Sequence, residues 1–316
     1  MTTLAPQGAP KGVRSAESIV LVTGANGLIG SRVVARLLDE GEKVIATGRG
    51  PRRELPANAE YVELDLVRPD SLRELIESAR PRGVVHCAAN ADVDACEKDP
   101  VQAWTANVRV TEAAALGCRA AGARLVDVST DYVFDGERGP YSEDDVPNPR
   151  NVYGRTKYAG ELAAQLHAPD CAVARVASVY SARRGARRTF ATNAAEALLA
   201  ARPVRAFEDQ MVSPTLADDA ARMIAGLLRS GERGIWHCAG ASIVSRVEFC
   251  RALARKLGAD EKLVEPVPLA SAKVLAPRPA RTGLRVDRIR RLLGEPGPLE
   301  MSEALDRFVA ELAAWA

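Results

Sequence analysis

A tyrosine and a lysine stand four residues apart in the segment NVYGRTKYAGE, residues 151–161. Residues at this spacing share one face of a helix, so such pairs also occur by chance. An ammonium group about 5 Å from a phenol, at an effective dielectric constant of about 20, would stabilise the phenolate by about 3 kcal/mol, or about two pKa units. Tyr153 and Lys157 are therefore either an ordinary helical pair or a general acid with the cation that tunes its pKa.

A glycine-rich segment, GANGLIG, follows the first apolar run of the chain and opens a helical pattern. The spacing G-x-x-G-x-x-G permits a tight turn and a close approach of the backbone to a pyrophosphate, and the helix N-terminus offers N–H groups to that anion. A purely structural glycine turn is the alternative. The segment predicts a dinucleotide-binding loop formed by Gly24, Asn26, Gly27, Leu28, Ile29 and Gly30.

The end of the second strand in such a fold usually reads the adenosine ribose of the cofactor. A carboxylate there favours NAD, whereas a guanidinium suits a ribose 2′-phosphate. This chain has a glycine followed by Arg49, with Arg52 and Arg53 nearby, so NADP(H) is predicted as the preferred cofactor and NAD(H) stays possible; a solvated basic loop is the alternative. Asp65, beside Leu66, follows the third strand, where a carboxylate could accept from the adenine amino group; an exposed loop acid is the alternative.

Apolar runs of strand length alternate with helical patterns along the first 180 residues. Strands are predicted at 18–24, 43–49, 60–66, 83–89, 123–130 and 171–181. Helices are predicted at 28–41, 69–80, 100–122 and 153–167. Such alternation favours parallel β-α-β units with right-handed crossovers, and therefore a doubly wound sheet with helices on both faces.

The regular pattern weakens after residue 181. Helices are predicted at 187–203 and 215–231, strands at 204–210 and 234–240, and the segments 245–258, 262–269 and 301–316 suggest a smaller lobe. We therefore predict an α/β protein: a Rossmann-type doubly wound parallel sheet with a C-terminal α+β substrate lobe. The predicted boundaries are a flexible tail at 1–17, an NADP-binding Rossmann domain at 18–178 plus 214–240, and a substrate-binding lobe at 179–213 plus 241–316.

The charge balance argues against a polyanionic partner. The 316 residues include 43 basic and 41 acidic side chains, a net charge of +2, which gives no general electrostatic drive towards nucleic acid or an anionic membrane. No stretch approaches the roughly 18 apolar residues of a membrane span. Six cysteines without a Cys-x-x-Cys pair favour reduced thiols in a cytosol. We expect a cytoplasmic monomer or homodimer without a metal site, because the three histidines show no metal-ligand spacing.

Together with the glycine loop, the Tyr153-x-x-x-Lys157 pair resembles the signature of the extended short-chain dehydrogenase/reductases. Four further segments resemble motifs of the dTDP-4-dehydrorhamnose reductases. They are STDYVFDG (129–136), HCAANADVDACEKDP (86–100), EDQMVSPT (208–215) and RPARTGLRVDRIRRLLG (278–294). The resemblance runs from about residue 18 to the C-terminus.

The resemblance implies a catalytic triad of Thr130, Tyr153 and Lys157. Thr130 would bond the substrate ketone, Tyr153 would protonate the forming alkoxide, and Lys157 would also hold the nicotinamide ribose. The implied cofactor contacts are Ala88, Ala89, Ser129, Tyr153 and Lys157. The implied substrate contacts are Asn90, Thr130, Asp131, Val133, Phe134, Tyr153 and Arg278. The implied activity is NADPH-dependent reduction of a keto group on a nucleotide-linked deoxysugar.

Two departures from the family motifs keep other activities open. The loop has Leu28–Ile29 where Gln-Leu is usual, which is closer to epimerases and dehydratases, and Asn90 and Asp92 replace an aromatic residue and a threonine. A nucleotide-sugar epimerase or dehydratase is one alternative, and a non-catalytic subunit resembling the methionine adenosyltransferase β-subunit is another.

Asn107 resembles the mid-helix asparagine that supports active sites in this superfamily, with plain helix packing as the alternative. The arginine-rich loop at 181–190 is a candidate for binding the diphosphate of a nucleotide sugar, and a solvated loop is the alternative. Its candidate residues are Arg183, Arg184, Arg187 and Arg188.

Overall fold

The computed structural model describes residues 19–66, 68–182 and 188–314. The predicted tail at 1–17 and three of the candidate arginines, Arg183, Arg184 and Arg187, lie outside these ranges.

A seven-stranded parallel sheet forms the centre of the molecule. The described strands are β1 Ile19–Thr23, β2 Lys43–Gly48, β3 Glu60–Glu63, β4 Gly83–His86, β5 Arg124–Thr130, β6 Cys171–Val176, β7 Val179–Tyr180, β8 Val204–Phe207, β9 Met211–Val212, β10 Thr215–Leu216, β11 Gly234–His237, β12 Val244–Ser245 and β13 Val264–Val267. The sheet order is β11-β6-β5-β4-β1-β2-β3, and every neighbouring pair is parallel. This order confirms the predicted doubly wound fold, including the return of the chain to the sheet at β11.

The helices pack on both faces of this sheet and form much of a second lobe. The described helices are α1 Leu28–Asp39, α2 Pro69–Ala79, α3 Val93–Lys98, α4 Pro100–Trp104, α5 Val110–Ala121, α6 Val152–His167, α7 Phe190–Leu199, α8 Ala217–Ser230, α9 Arg246–Leu257, α10 Asp287–Leu293 and α11 Met301–Ala313. None of the helices in the described ranges is long and apolar enough to cross a membrane.

The central strands are buried on both faces and mostly apolar, because helices cover both sides of the sheet. In β1, Val20 and Val22 join the core under α1 and α8, while Leu21 joins the core under α2, α5 and α6. Burying one such side chain contributes about 1.5–3 kcal/mol. A third core gathers residues of α7, α9 and α11, where Tyr180 meets Phe249 and Phe308 with ring centroids 5.3 Å apart in each pair.

Three local features differ from the predictions. The strand predicted at 171–181 is divided into β6 and β7 at Ser178, whose φ of +46° interrupts extended backbone. The helix predicted at 100–122 contains a π-helical segment at Thr105–Arg109, between α4 and α5. The short helix α3 was not predicted; Asp92 starts it by accepting from the Ala95 N–H at 3.0 Å.

Candidate active site

The strand order reverses between β1 and β4, where the loops after two adjacent strands diverge and leave a crevice. The glycine loop follows β1, and Ala88 and Ala89 follow β4. Gly24 has a φ of +64°, and a Cβ there would lie 2.7 Å from the Ala88 nitrogen. A Cβ on Gly30 would lie 2.3 Å from the Gly24 oxygen. Both positions therefore require glycine, because the turn packs closely against the loop after β4 and against itself before α1 begins.

Tyr153 lies in the first turn of α6, whose start is fixed by two contacts. The Asn151 side chain accepts from the Gly154 N–H at 2.8 Å and caps the helix. A Cβ on Gly154 would lie only 2.2 Å from the Tyr132 carbonyl oxygen, so the glycine lets α6 press on the segment after β5. Tyr153 then meets Tyr132 edge-on, with ring centroids 5.7 Å apart, and reaches Thr130.

The pKa of Tyr153 lies above its ordinary value of 10.0. Burial of the phenol is the largest cause, and a hydrogen bond with the Thr130 side chain partly opposes it. The predicted net lowering of this pKa is therefore wrong, because the cost of burying a phenolate outweighs the effects that oppose it. Tyr153 is still an acid towards an alkoxide, which is a far stronger base than a phenolate.

Lys157 follows Tyr153 by one helical turn and is 2% exposed. Burial and, secondarily, the charge of Lys157 lower the pKa of His86 to about 3. The same charge opposes the effect of burial on the pKa values of Cys87 and Asp127. The ammonium group therefore lies near the carboxyl ends of β4 and β5, beside the crevice, and the opening pair is not a solvated helix face.

Thr130 ends β5 with its hydroxyl between two partners. Its oxygen donates to an Asp131 carboxylate oxygen at 3.1 Å and accepts from the Tyr132 N–H at 3.2 Å. Burial raises the pKa of Asp131 to about 6, although hydrogen bonds with Thr282 and Thr130 oppose the rise. The predicted residues Thr130, Asp131 and Tyr153 are thus brought together at one end of the crevice.

Asn107, in the π-helical segment, links the loop that follows β4 to helix α6. Its oxygen accepts from the Asn90 N–H at 2.8 Å, and its amide donates to the Asn90 carbonyl at 3.2 Å and to the Thr156 hydroxyl at 3.0 Å. A Cβ on Gly160 would lie 2.5 Å from the Asn107 carbonyl oxygen. Asn107 therefore holds the strand-β4 loop against the helix that carries Tyr153, which is more than plain helix packing.

Several predicted contacts lie away from an open surface. Val133 and Phe134 are fully buried in the core under α1 and α8, and Phe134 stacks on Tyr141 with centroids 4.2 Å apart. They therefore pack the segment after β5 and do not face a sugar pocket as predicted. Ser129 is 2% exposed, and its hydroxyl has no partner within the described ranges. The Asn90 amide donates to Gln102 at 3.1 Å.

A cavity of about 430 Å³ opens beside Tyr132, between α7, β8, α9 and the segment 272–278. Its lining combines aromatic, apolar and cationic side chains: Tyr132, Phe190, Asn193, Ala194, Ala197, Pro203, Val204, Arg205, Ala206, Phe207, Gln210, Arg246, Cys250, Ala272, Val274 and Arg278. Because Tyr132 lines the cavity and contacts Tyr153, the cavity lies next to the end of the crevice that holds Thr130 and Tyr153.

Arg246 is the site residue that the sequence analysis missed. Its guanidinium lies 3.8 Å from the Phe190 ring centroid, Nε donates to Gln210 at 3.2 Å, and one terminal nitrogen is buried without a partner in the described part of the chain. The predicted Arg278 also lines the cavity but pairs with Asp94 at 3.0 Å. Arg188 instead pairs with Glu196 at the protein surface. No local motif marks Arg246, which begins an ordinary amphipathic helix.

The predicted adenosine-binding residues lie at the other end of the crevice. Arg49 is exposed just after β2, and Asp65 and Leu66 follow the adjacent strand β3, with Asp65 exposed and Leu66 half-buried. Their contacts with a cofactor remain predictions.

Comparison with known proteins gives a match over nearly the whole chain. The model of the RmlD substrate binding domain family matches residues 18–314. The chain is 34% identical over 278 residues to the probable low-salt glycan biosynthesis reductase Agl14 of Haloferax volcanii, covering 86% of this chain and 91% of the relative. It is 33% identical over 271 residues to a dTDP-4-dehydrorhamnose reductase of Mycobacterium tuberculosis, covering 84% of each. It is 31% identical over 281 residues to methionine adenosyltransferase 2 subunit beta of Danio rerio, covering 87% and 84%.

A solved structure gives the same result at the level of the fold. The dTDP-4-dehydrorhamnose reductase of Bacillus anthracis, in complex with NADP, is similar with a TM-score of 0.81 and 26% identity. The match covers 93% of this chain and 99% of that one, so the sheet and the second lobe are both included.

Proposed function

The chain belongs to the RmlD substrate binding domain family, within the extended short-chain dehydrogenase/reductases, and from this premise we propose that it is an NADPH-dependent reductase of a keto group on a nucleotide-linked deoxysugar. The observation that carries the proposal is the position of Tyr153 against Tyr132, two residues after Thr130, with the buried Lys157 one turn along α6. Reduction of a carbonyl group requires that its oxygen be oriented and then protonated, and the side chains of Thr130, Tyr153 and Lys157 can do both.

A nicotinamide dinucleotide fits the residues of the crevice. The tight turn through Gly24 and Gly30 leads into the N-terminus of α1, where Gly27 provides no side-chain cap, so the backbone N–H groups there suit a pyrophosphate. Lys157 would bind the nicotinamide ribose, and Ala88, Ala89 and Ser129 would border the cofactor. When bound, the cofactor supplies the hydride that reduces the carbonyl carbon.

The chain's own residues perform the proton step. When the substrate binds, the Thr130 hydroxyl turns its proton from Asp131 to the substrate carbonyl oxygen and fixes the position of that oxygen. As this oxygen gains negative charge, Tyr153 donates its phenolic proton to it. The positive charge of Lys157 then stabilises the phenolate that remains, in a buried setting where water screens little.

The cavity beside Tyr132 suits the nucleotide end of the substrate. The unpartnered terminal nitrogen of Arg246 is a donor for a phosphate oxygen, and leaving it unpaired in the absence of an anion costs free energy. Phe207 offers aromatic surface for a base, whereas the Phe190 ring is covered by the Arg246 guanidinium. Arg246 thus extends the predicted substrate contact Arg278.

The test is a screen of nucleotide keto-sugars with NADPH and with NADH, followed by identification of the product. We expect loss of NADPH absorbance in a one-to-one ratio with formation of an alcohol. Turnover without net loss of NADPH would instead identify an epimerase or dehydratase. No turnover of any keto-sugar, together with co-purification of a catalytic partner, would identify a regulatory subunit like the relative from Danio rerio.

A further inference from the structure

An irregular segment at residues 272–280, called here the strap, forms one wall of the cavity beside Tyr132. The strap itself contains no helix or strand. Its residues Ala272, Val274 and Arg278 line the cavity. The position of this wall therefore depends on side chains that reach the strap from other elements.

Asp94, on helix α3, holds the middle of the strap. Its Oδ1 accepts from the Ala276 N–H at 3.0 Å and from Arg278 Nη1 at 3.0 Å, and its Oδ2 lies 3.0 Å from Arg278 Nη2. The Ala276 N–H is the largest cause that holds the pKa of Asp94 below its ordinary value; burial opposes it, and Arg278 adds to it. Arg278 Nη1 also donates to the Ala276 carbonyl at 3.0 Å, so both terminal nitrogens of this guanidinium are engaged within the protein.

Helix α3 also fixes the start of the helix that carries Tyr153. The Glu97 carboxylate accepts at 3.0 Å from the N–H of Val152, the residue just before Tyr153. The Asn151 amide, at the cap of the same helix, donates to the Pro277 carbonyl of the strap at 2.9 Å. The helix α3, the strap and the start of α6 are thus joined pairwise in a closed ring of hydrogen bonds.

Two guanidinium groups of the cavity wall differ in what is left for a ligand. Arg246 has a buried terminal nitrogen without a partner in the described part of the chain. The Arg278 side chain is 17% exposed, and a carboxylate already meets its charge through two parallel contacts. A second anion would have to share those donors or displace Asp94, which would leave an acidic group unpaired beside the anion. Arg246 is therefore the better phosphate donor, and Arg278 is the better holder of the strap.

We propose that Asp94, Glu97 and Arg278 are positioning residues: Asp94 and Arg278 together hold the strap as a wall of the nucleotide cavity, and Glu97 sets the start of the Tyr153 helix against the same element. The inference rests on the proposed function and gives Arg278 a different role in it, since Arg278 acts through the strap and not as a ligand of the nucleotide. A nucleotide bound against a fixed wall places its sugar at a fixed distance from Tyr153, so remote binding supports the proton step.

The first experiment measures hydrogen–deuterium exchange of the ligand-free protein by mass spectrometry. Asp94→Ala and Arg278→Ala should each speed the exchange of the strap amides about tenfold or more, because the strap then opens locally. The double variant should exchange no faster than the quicker single variant, since both substitutions remove the same contact. Arg278→Lys should behave like Arg278→Ala, because an ammonium group cannot reproduce the paired contacts. The matched control is Arg73→Ala, which removes an exposed pair with Glu77 on α2 and should leave strap exchange unchanged.

The second experiment measures KM and kcat with the nucleotide keto-sugar that the screen identifies. Asp94→Ala should raise KM about tenfold or more and change kcat by about threefold at most, and the double variant with Arg278→Ala should have no higher KM than the worse single variant. Glu97→Ala should lower kcat about tenfold with KM near the parent value. Glu97→Gln keeps an oxygen for the Val152 N–H and should restore most of kcat. Simple loss of folded protein would lower the apparent kcat and leave KM unchanged in every variant.

Four results would overturn the inference. They are unchanged strap exchange in Asp94→Ala, a KM effect of the double variant equal to the product of the two single effects, a KM of Asp94→Ala below that of the parent, and an unchanged kcat in Glu97→Ala. A lowered KM would show that Arg278, once released from Asp94, binds the phosphate itself. Faster strap exchange in the expected variants of a protein that reduces no keto-sugar would leave the role of Asp94 and Arg278 standing and remove only the proposed reaction.

Discussion

Asp131→Asn should stabilise the protein at neutral pH, although Asp131 lies beside the proposed catalytic residue Thr130. The carboxyl group is 3% exposed, and burial raises its pKa from 3.8 to about 6 against the opposing effects of Thr282, Thr130 and Arg246. A rise of this size corresponds to about 3 kcal/mol of free energy that the folded state loses when the group ionises. Asparagine keeps the oxygen that accepts from Thr130 and carries no charge.

The sign follows from proton binding. Between pH 3.8 and about 6 the folded state holds the proton on Asp131 more tightly than the unfolded state does, so the free energy of unfolding falls as the pH rises through this range. Below this pH range the loss of unfolding free energy is absent, and above it the loss is complete. Asp131→Asn should therefore raise the free energy of unfolding by up to about 3 kcal/mol at pH 7.5. At pH 4.5 this increase should be about 2 kcal/mol smaller.

The assay is urea unfolding of both proteins at pH 4.5 and pH 7.5. Asp135→Asn is the matched control, because hydrogen bonds from Tyr141, Asn148 and the Glu137 N–H hold the pKa of that carboxyl below its ordinary value, against the opposing effect of burial. The control should destabilise at pH 7.5, with a smaller effect as the pH falls through the range where the Asp135 carboxyl takes up its proton. If the difference between Asp131→Asn and the parent is the same at both pH values, or negative at pH 7.5, the account of Asp131 is refuted.

Three further substitutions test the site. Tyr153→Phe should lower kcat for a keto-sugar by about 10²-fold or more with NADPH affinity nearly unchanged, and retained turnover would show that another group donates the proton. Gly154→Ala should destabilise the protein by about 1–3 kcal/mol and lower kcat, because the added Cβ meets the Tyr132 carbonyl; unfolding and rate measurements with wild-type values would contradict that contact. Arg246→Leu should raise KM for a nucleotide-sugar about tenfold or more with a smaller change in kcat, whereas Arg188→Leu, the control, should leave both near the parent values.

The elements of the sheet and most helices could be predicted from local patterns. A continuous apolar run such as that of β1 predicts a strand covered on both faces, and Gly41, with a φ of +80°, ends the first helix where the sequence indicates. The division of the sixth predicted strand at Ser178 could not be predicted, because serine rarely adopts a positive φ unless the surrounding structure imposes it.

The candidate site was predicted less completely than the fold. Tyr153, Lys157 and Thr130 were identified from a short spacing and a family resemblance, and the structure brings them to one crevice. Their electrostatics were predicted incorrectly, since a Coulomb estimate from spacing omits the cost of burying the phenol. Phe134 was assigned to the pocket by its place in a motif, but only the packing of Tyr141 against it shows that it belongs to the core.

The sequence by itself determined the order of strands and helices, the glycine loop and the candidate reacting side chains. These depend on periodicity, turn chemistry and side-chain type, which are properties of neighbouring residues. The tertiary structure alone decided the pairing of Asp94 with Arg278, the place of Arg246 in the cavity and the raised pKa values of Tyr153 and Asp131. Such features arise where segments far apart in the chain exclude water from each other, and burial of that kind leaves no mark in the local sequence.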